Sequence, residues 1–157
     1  MFISSDMSGL VLAWDTNTFT PVVAFHPSSH SPNSSVTSSP SVCDISFPSL
    51  QHVNSPLGST VAAVTSQGKL ILLDILTSAP SLTFPSASSG ATSTVEFHPN
   101  DPFLVTTTGG SDGTVKLWDV RRSGATAMVC QLDVERAEII NSDDNAGSSN
   151  NGNPVVG

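Results

Sequence analysis

Residues 109–122 read Gly109-Gly110-Ser111-Asp112-Gly113-Thr114-Val115-Lys116-Leu117-Trp118-Asp119-Val120-Arg121-Arg122. Ser111, Asp112 and Gly113 have the composition of a tight turn, and a hairpin of two or three residues needs a positive φ that glycine adopts without steric penalty. The residues after the turn alternate and are rich in β-branched and aromatic types, which suits a pleated strand. Val115 and Leu117 form one face, while Lys116 and Trp118 share the other. The strand ends in a Trp-Asp dipeptide.

The pattern recurs twice upstream. Gly9 and Gly68 stand before Trp14 and Leu73 as Gly113 stands before Trp118, and each of these three residues is followed by an acid: Asp15, Asp74 and Asp119. The interval from Asp74 to Asp119 matches the ~40–45 residues of one blade of a β-propeller. The longer interval from Asp15 to Asp74 matches it once the Ser/Pro-rich stretch 26–40 is set aside as an inserted loop with nothing to bury. Strand candidates lie at 1–6, 8–15, 20–25, 41–47, 60–65, 68–74, 80–84, 92–97, 103–108, 113–120 and 125–132, with turns at Ser66-Gln67-Gly68 and at 98–102. In the first two units the strand after the glycine is apolar on both faces, as neighbouring blades on either side require. The expected fold is therefore all-β, a partial propeller of about three four-stranded blades. Residues 1–25 form an incomplete blade lacking its opening strand, 41–84 a degenerate blade without tryptophan, 85–132 a third blade, and 133–157 a polar, disordered tail.

Composition narrows the function classes. The chain has 157 residues, 38% of them hydrophobic, and a net charge of −8 with only five Lys and Arg. It lacks the broad basic surface that nucleic-acid phosphates require, so no direct nucleic-acid binding is expected. Neither a secretory signal nor an apolar run of bilayer length is present, and Cys43 and Cys130 lack metal-ligand spacing. The reading is an intracellular, reducing compartment with two half-buried thiols, no membrane partner and no cofactor. Asn33-Ser34-Ser35 fits a glycosylation acceptor by letter only. His26, His30 and His52 read as solvated loop residues and His98 as part of a turn, so no metal is expected. Ser31-Pro32 and Ser39-Pro40 are of the type that accepts phosphate.

At Phe97-His98-Pro99 and at Gly110 through Arg121 the chain resembles the WD-repeat (WD40) family, whose fold is a propeller of four-stranded blades. The resemblance implies that Asp112 hydrogen-bonds within its blade with Thr106 or Thr107 and with Trp118; the Gly-His dipeptide that often completes this network is absent from all three units. The order Trp14-Asp15-Thr16-Asn17, a unit with Leu73 in place of tryptophan, then Trp118-Asp119-Val120-Arg121-Arg122 is similar to the Cockayne syndrome group A family of WD-repeat proteins. That likeness implies a nuclear substrate receptor of a cullin-4-type ubiquitin ligase, acting in transcription-coupled nucleotide excision repair. Asp112, Trp118, Asp119 and Arg121 meet the spacings of a ligase-adaptor signature, which makes Asp119 and Arg121 the adaptor-binding candidates. Two signature positions that are usually bulky and apolar are Thr106 and Thr107 here. The implied partners are proteins, a cullin-ligase adaptor and repair or transcription factors, with no small-molecule substrate. A generic WD-repeat scaffold with no ligase link is the alternative.

Gly109-Gly110-Ser111-Asp112-Gly113 also fits the Gly-x-Ser-x-Gly nucleophile elbow, whose chemistry needs a strand, a strained turn and then a helix. Thr114 to Trp118 has strand composition, so Ser111 reads as turn chemistry and the chain as non-catalytic. Gly9, Trp14, Asp15, Gly68, Asp74, Asp112, Gly113 and Trp118 read as blade-building residues. Three units cannot close a seven-bladed ring; the ends are expected to leave open apolar blade faces, so that the segment alone is marginally soluble, aggregates, or exists as an incomplete gene model.

Overall fold

A computed structural model describes residues 1–25, 40–49, 54–84, 87–134 and 138–141. Its strands are β1 (Phe2–Ser5), β2 (Val11–Trp14), β3 (Pro21–Phe25), β4 (Val42–Ser46), β5 (Thr60–Thr65), β6 (Leu70–Asp74), β7 (Ala79–Phe84), β8 (Thr92–Phe97), β9 (Leu104–Gly109), β10 (Thr114–Asp119), β11 (Met128–Asp133) and β12 (Glu138–Asn141). They form three antiparallel sheets in the orders β1-β2-β3, β4-β5-β6-β7 and β12-β11-β10-β9-β8. The glycine turns fall at the same place in each, between β1 and β2, β5 and β6, and β9 and β10, with φ of +87° at Gly9, +72° at Gly68 and +61° at Gly113.

A further repeat is invisible in the letters. Pairing slips between Ala13 and Trp14, between Leu72 and Leu73, and between Leu117 and Trp118, always against the following strand. A bulge at the Trp-equivalent position raises the local twist, and its recurrence gives the three sheets one shape.

Side-chain alternation along β2, β6 and β10 decides how the sheets stack. Val11 packs with Ile71, Leu73, Val61 and Ala63 in one core, which joins the first sheet to the second. Leu70, Leu72, Ala62, Val64 and Phe84 pack with Val95, Phe97, Val105 and Trp118 in another, which joins the second to the third. The middle sheet is covered on both sides, and β5 is buried at every residue. In β10 the face carrying Val115 and Leu117 is only half-buried, because among the described residues no fourth sheet lies against it. Leu12 and Trp14 occupy the corresponding half-buried face at the other end of the stack.

Some boundaries differ from the sequence reading. Gly124–Ala127 is a single 3₁₀ turn, and the last expected strand begins only at Met128. Thr126 donates its hydroxyl to the Ser123 carbonyl, a local bond that competes with strand pairing. Where the sequence places a polar tail from 133 onward, β11 runs through Asp133 and β12 adds a fifth strand, with Cys130 opposite Asn141 and Asp133 opposite Glu138. The backbone edge of β11 supplies the pairing, and the β-branched Ile139 and Ile140 suit a strand. Residues 26–39 and 142–157, and with them the Ser/Pro loop and the rest of the tail, lie outside the described residues.

Gly68 illustrates how one turn serves two sheets. A Cβ there would fall on the carbonyl oxygens of Gly90 and Ser88, in the segment that leads into β8, and the Ser88 amide donates to the Gly68 carbonyl at 3.3 Å. Gly68→Ala is expected to destabilise the chain by about 1–2 kcal/mol through its left-handed φ and this backbone clash. Denaturant unfolding checks it, and an unchanged midpoint would contradict the contact.

Candidate interaction site

The polar and aromatic side chains of residues 109–122 divide into two groups with separate positions. The turn that precedes β10 holds Asp112, whose carboxylate faces the segment entering β8. Asp112 Oδ2 accepts from the Ser88 hydroxyl at 3.0 Å and the Ser89 amide at 3.1 Å, and Oδ1 accepts from the Thr114 hydroxyl at 2.8 Å and amide at 3.1 Å. Burial alone would raise its pKa, but the Ser89 amide, both Thr114 donors and the Ser88 hydroxyl outweigh it and hold the carboxyl at about 2. Trp118 lies apart from this carboxylate. Its indole Nε1–H donates to Thr107 Oγ1 at 2.9 Å, and its ring meets Phe84 at 5.5 Å. The expected network is therefore split in two: Asp112 bonds Ser88, Ser89 and Thr114, while Thr107 alone receives Trp118. With no Gly-His dipeptide, a serine hydroxyl occupies the side of Asp112 that faces the entering segment. Trp14 repeats the tryptophan half, donating to Ser4 Oγ at 2.9 Å.

The acid after each strand has a turn-building role. The amides of Asn17, Leu76 and Arg121 donate to Oδ1 of Asp15, Asp74 and Asp119 at 2.8, 2.9 and 3.1 Å. Each is an Asx turn, in which a short carboxylate caps the amide two residues on and starts the chain back. Bonds from the Leu76 amide first, opposed by burial and then reinforced by the Thr77 and Ser59 hydroxyls, lower the Asp74 pKa.

Among the described residues, Asp119 alone of the three adds a cation to this turn. Arg121 Nε donates to Asp119 Oδ1 and Nη2 to Oδ2, both at 2.8 Å, the parallel fork that gives Arg–carboxylate pairs their directionality. Arg122 Nε approaches Oδ2 at 3.4 Å. The Arg121 guanidinium carbon stands 5.1 Å from the Phe103 ring centroid. Asp119 is buried and its pKa is lowered, chiefly by the Arg121 hydrogen bonds and against its burial, whereas the Arg121 side chain is 56% exposed. The sequence names Asp119 and Arg121 but gives no sign of Phe103, which precedes β9 and reaches Arg121 only because Val120 donates its amide to the Phe103 carbonyl at 2.9 Å.

The remaining candidates are structural. Ser111 lies in a turn between two antiparallel strands, and β10 follows where an elbow needs a helix. His98 Nδ1 accepts from the Asn100 and Asp101 amides at 3.2 and 3.1 Å. Among the described residues no three His, Cys, Asp or Glu side chains are placed to hold a metal. Cys130 is half-buried, but Cys43 is exposed, contrary to the reading of two half-buried thiols, because it is the residue left over where the pairing of β4 with β5 slips between Val42 and Asp44.

The family model for the WD domain, G-beta repeat, matches residues 78–119, the last strand of the second sheet and the first three of the third. No curated protein matches the chain. Among 775 solved chains that match is the β-propeller domain of Cps50 (Swd1) from Myceliophteria thermophila, with 15% identity, a TM-score of 0.57 and coverage of 76% of this chain. The chain spans 32% of that propeller domain. The fold is accordingly a partial WD40 β-propeller, and the first sheet is the blade with three strands.

Proposed function

We infer that the chain is a non-catalytic protein-interaction module, and that within this class it serves as part of a substrate receptor of a cullin-4-type ubiquitin ligase in the nucleus. The observation that carries the reading is the Arg121 fork. Its Nε and one face of the guanidinium are fixed by Asp119 and Phe103, yet more than half of the side chain remains open to solvent. A planar cation held in one orientation loses little freedom on binding, so it suits a partner's carboxylate or carbonyl groups. The ligase assignment rests on the order of motifs shared with the Cockayne syndrome group A family, and transcription-coupled repair follows from the same likeness. Thr106 and Thr107 depart from the adaptor signature, and a generic WD-repeat scaffold is the reading that this departure favours.

Arg121→Gln removes the fork and the guanidinium over Phe103 while keeping a polar side chain at the position. If the ligase reading holds, co-precipitation of a cullin-4 adaptor with the full chain falls at least about tenfold, while the melting temperature falls by only a few degrees, because the buried Asp119 keeps the main-chain amide at position 121 and the Arg122 guanidinium as partners. Undiminished adaptor capture would remove the ligase reading and leave the generic scaffold.

A further inference from the structure

The clefts between adjacent sheets are not alike. Between the first and second, the cleft that includes Phe25, Leu73 and Ser78 is filled down to about 10 Å³. At the equivalent place between the second and third, beside Phe84, Trp118 and the Gly124–Ala127 turn, a groove of about 360 Å³ stays open. The equivalence follows from register, since Phe25 pairs with Val11 as Phe84 pairs with Leu70, and Leu73 and Trp118 hold matching places in β6 and β10. Two local differences accompany the opening. Trp14 pairs with Pro21 and Leu73 with Pro80, each seven residues on, but Trp118 pairs with Met128, ten residues on. The longer connection folds as the 3₁₀ turn, whose Ala127 is buried in the core, while Gly124, at φ +61°, and Ala125 are left exposed as a lip. Lys116 stands where the second sheet has the buried Ile71.

The groove has a defined chemistry. Phe84 and Trp118 are buried and make its floor, while Met128, Gln131 and Lys116 are half-buried and make its walls. Two aromatic rings and a polarisable thioether favour an aromatic guest. The Lys116 amine is a cationic donor and the Gln131 amide a neutral one, and among the described residues no Asp or Glu lines the groove. Residues 114–127, which form one wall and the lip, carry the cations Lys116, Arg121 and Arg122 against the single carboxylate of Asp119, in a chain whose net charge is −8. The complement of such a surface is acidic. The volume lies at the low end of the roughly 300–1,000 Å³ of ligand sites, so it takes one or two side chains and not a folded element.

We propose that the groove between β7, β10 and β11 is a docking site for an extended, acidic segment of a partner protein, which inserts one aromatic side chain over Phe84 and Trp118 and sets flanking carboxylates against Lys116 and the positive lip. The buried aromatic anchor supplies affinity and the charges select the partner. The site lies between the two four-stranded blades, and it does not rest on the ligase reading.

The test uses the full chain carrying Trp14→Phe, so that Trp118 is the sole tryptophan, and the synthetic peptide acetyl-Glu-Asp-Phe-Asp-Glu-amide. A saturable shift of Trp118 emission is expected, with a Kd at or below about 1 mM. Affinity falls at least about fivefold when alanine replaces the peptide's phenylalanine, and again when amides replace its acids. The protein variants Lys116→Glu and Gln131→Glu, each of which puts a carboxylate in the wall, weaken binding by a similar factor. The two altered peptides need no altered protein, so the outcome does not hang on how well either variant folds. No saturable shift, or an affinity indifferent to the phenylalanine or to the acids, would overturn the proposal. So would self-association of the free chain that Gln131→Glu abolishes, since the occupant would then be a second copy.

Discussion

Trp118→Ala is expected to lower the unfolding free energy by roughly 3–5 kcal/mol, the range for emptying a well-packed core of a large aromatic residue. Trp118 is 4% exposed and belongs to the core that joins the second sheet to the third. Its removal leaves Phe84 without its aromatic neighbour and the buried Thr107 hydroxyl without its indole donor. Trp118→Phe isolates the second of these, since it retains most of the apolar area; a loss of about 1–2 kcal/mol is expected for the unpaired polar group. The same substitution at Trp14 is the internal control. Trp14 makes an equivalent hydrogen bond to Ser4 and stacks on Phe2 at 5.6 Å, but it lies on a half-buried face over which no sheet packs among the described residues. Trp14→Ala should cost less than half as much. Denaturant midpoints for the three variants decide the matter, and equal losses at Trp14 and Trp118 would show that the stacking order of the sheets is wrong.

Asp112→Ala is expected to cost about 2–4 kcal/mol at neutral pH, because it strips the acceptor from the Ser89 and Thr114 amides and from two hydroxyls at once. Its pH dependence has a definite sign. A carboxyl held at about 2 in the folded chain against an ordinary 3.8 binds its proton more weakly when folded. Its stabilising contribution is therefore complete above pH 3.8 and lost as pH falls toward 2. The shift corresponds to at most about 2 kcal/mol, less whatever solvent screens from this half-buried group. Unfolding followed between pH 7 and pH 2 should show the parent and Asp112→Ala converging at the acid end. Curves that stay parallel throughout would mean that the carboxylate is not the acceptor joining the turn to the segment entering β8.

What the letters carried was local. Three glycines at one offset from Trp14, Leu73 and Trp118 specify turns because positive φ is a property of single residues, and the alternating runs after them specify strands because a pleat has a period of two. The acids that follow build Asx turns from bonds reaching two residues along the chain. From these, the number of sheets and the missing inner strand of the first could both be read.

The rest depended on neighbours distant in sequence. Ser88 meets Asp112, Asp44 meets Val95 and Ser46 meets Phe97, and nothing in the composition of those segments distinguishes these hydroxyls and carboxylates from solvated ones. Phe103 lies under Arg121 for the same reason, and β12 exists because β11 offers an edge. Two tryptophans, each five residues after a turn glycine and each followed by an aspartate, differ in burial with the sheet packed over them. Sequence determined each blade, since turn and strand propensities act within a few residues; tertiary structure decided which faces and edges are covered, since burial and strand pairing belong to whatever lies alongside.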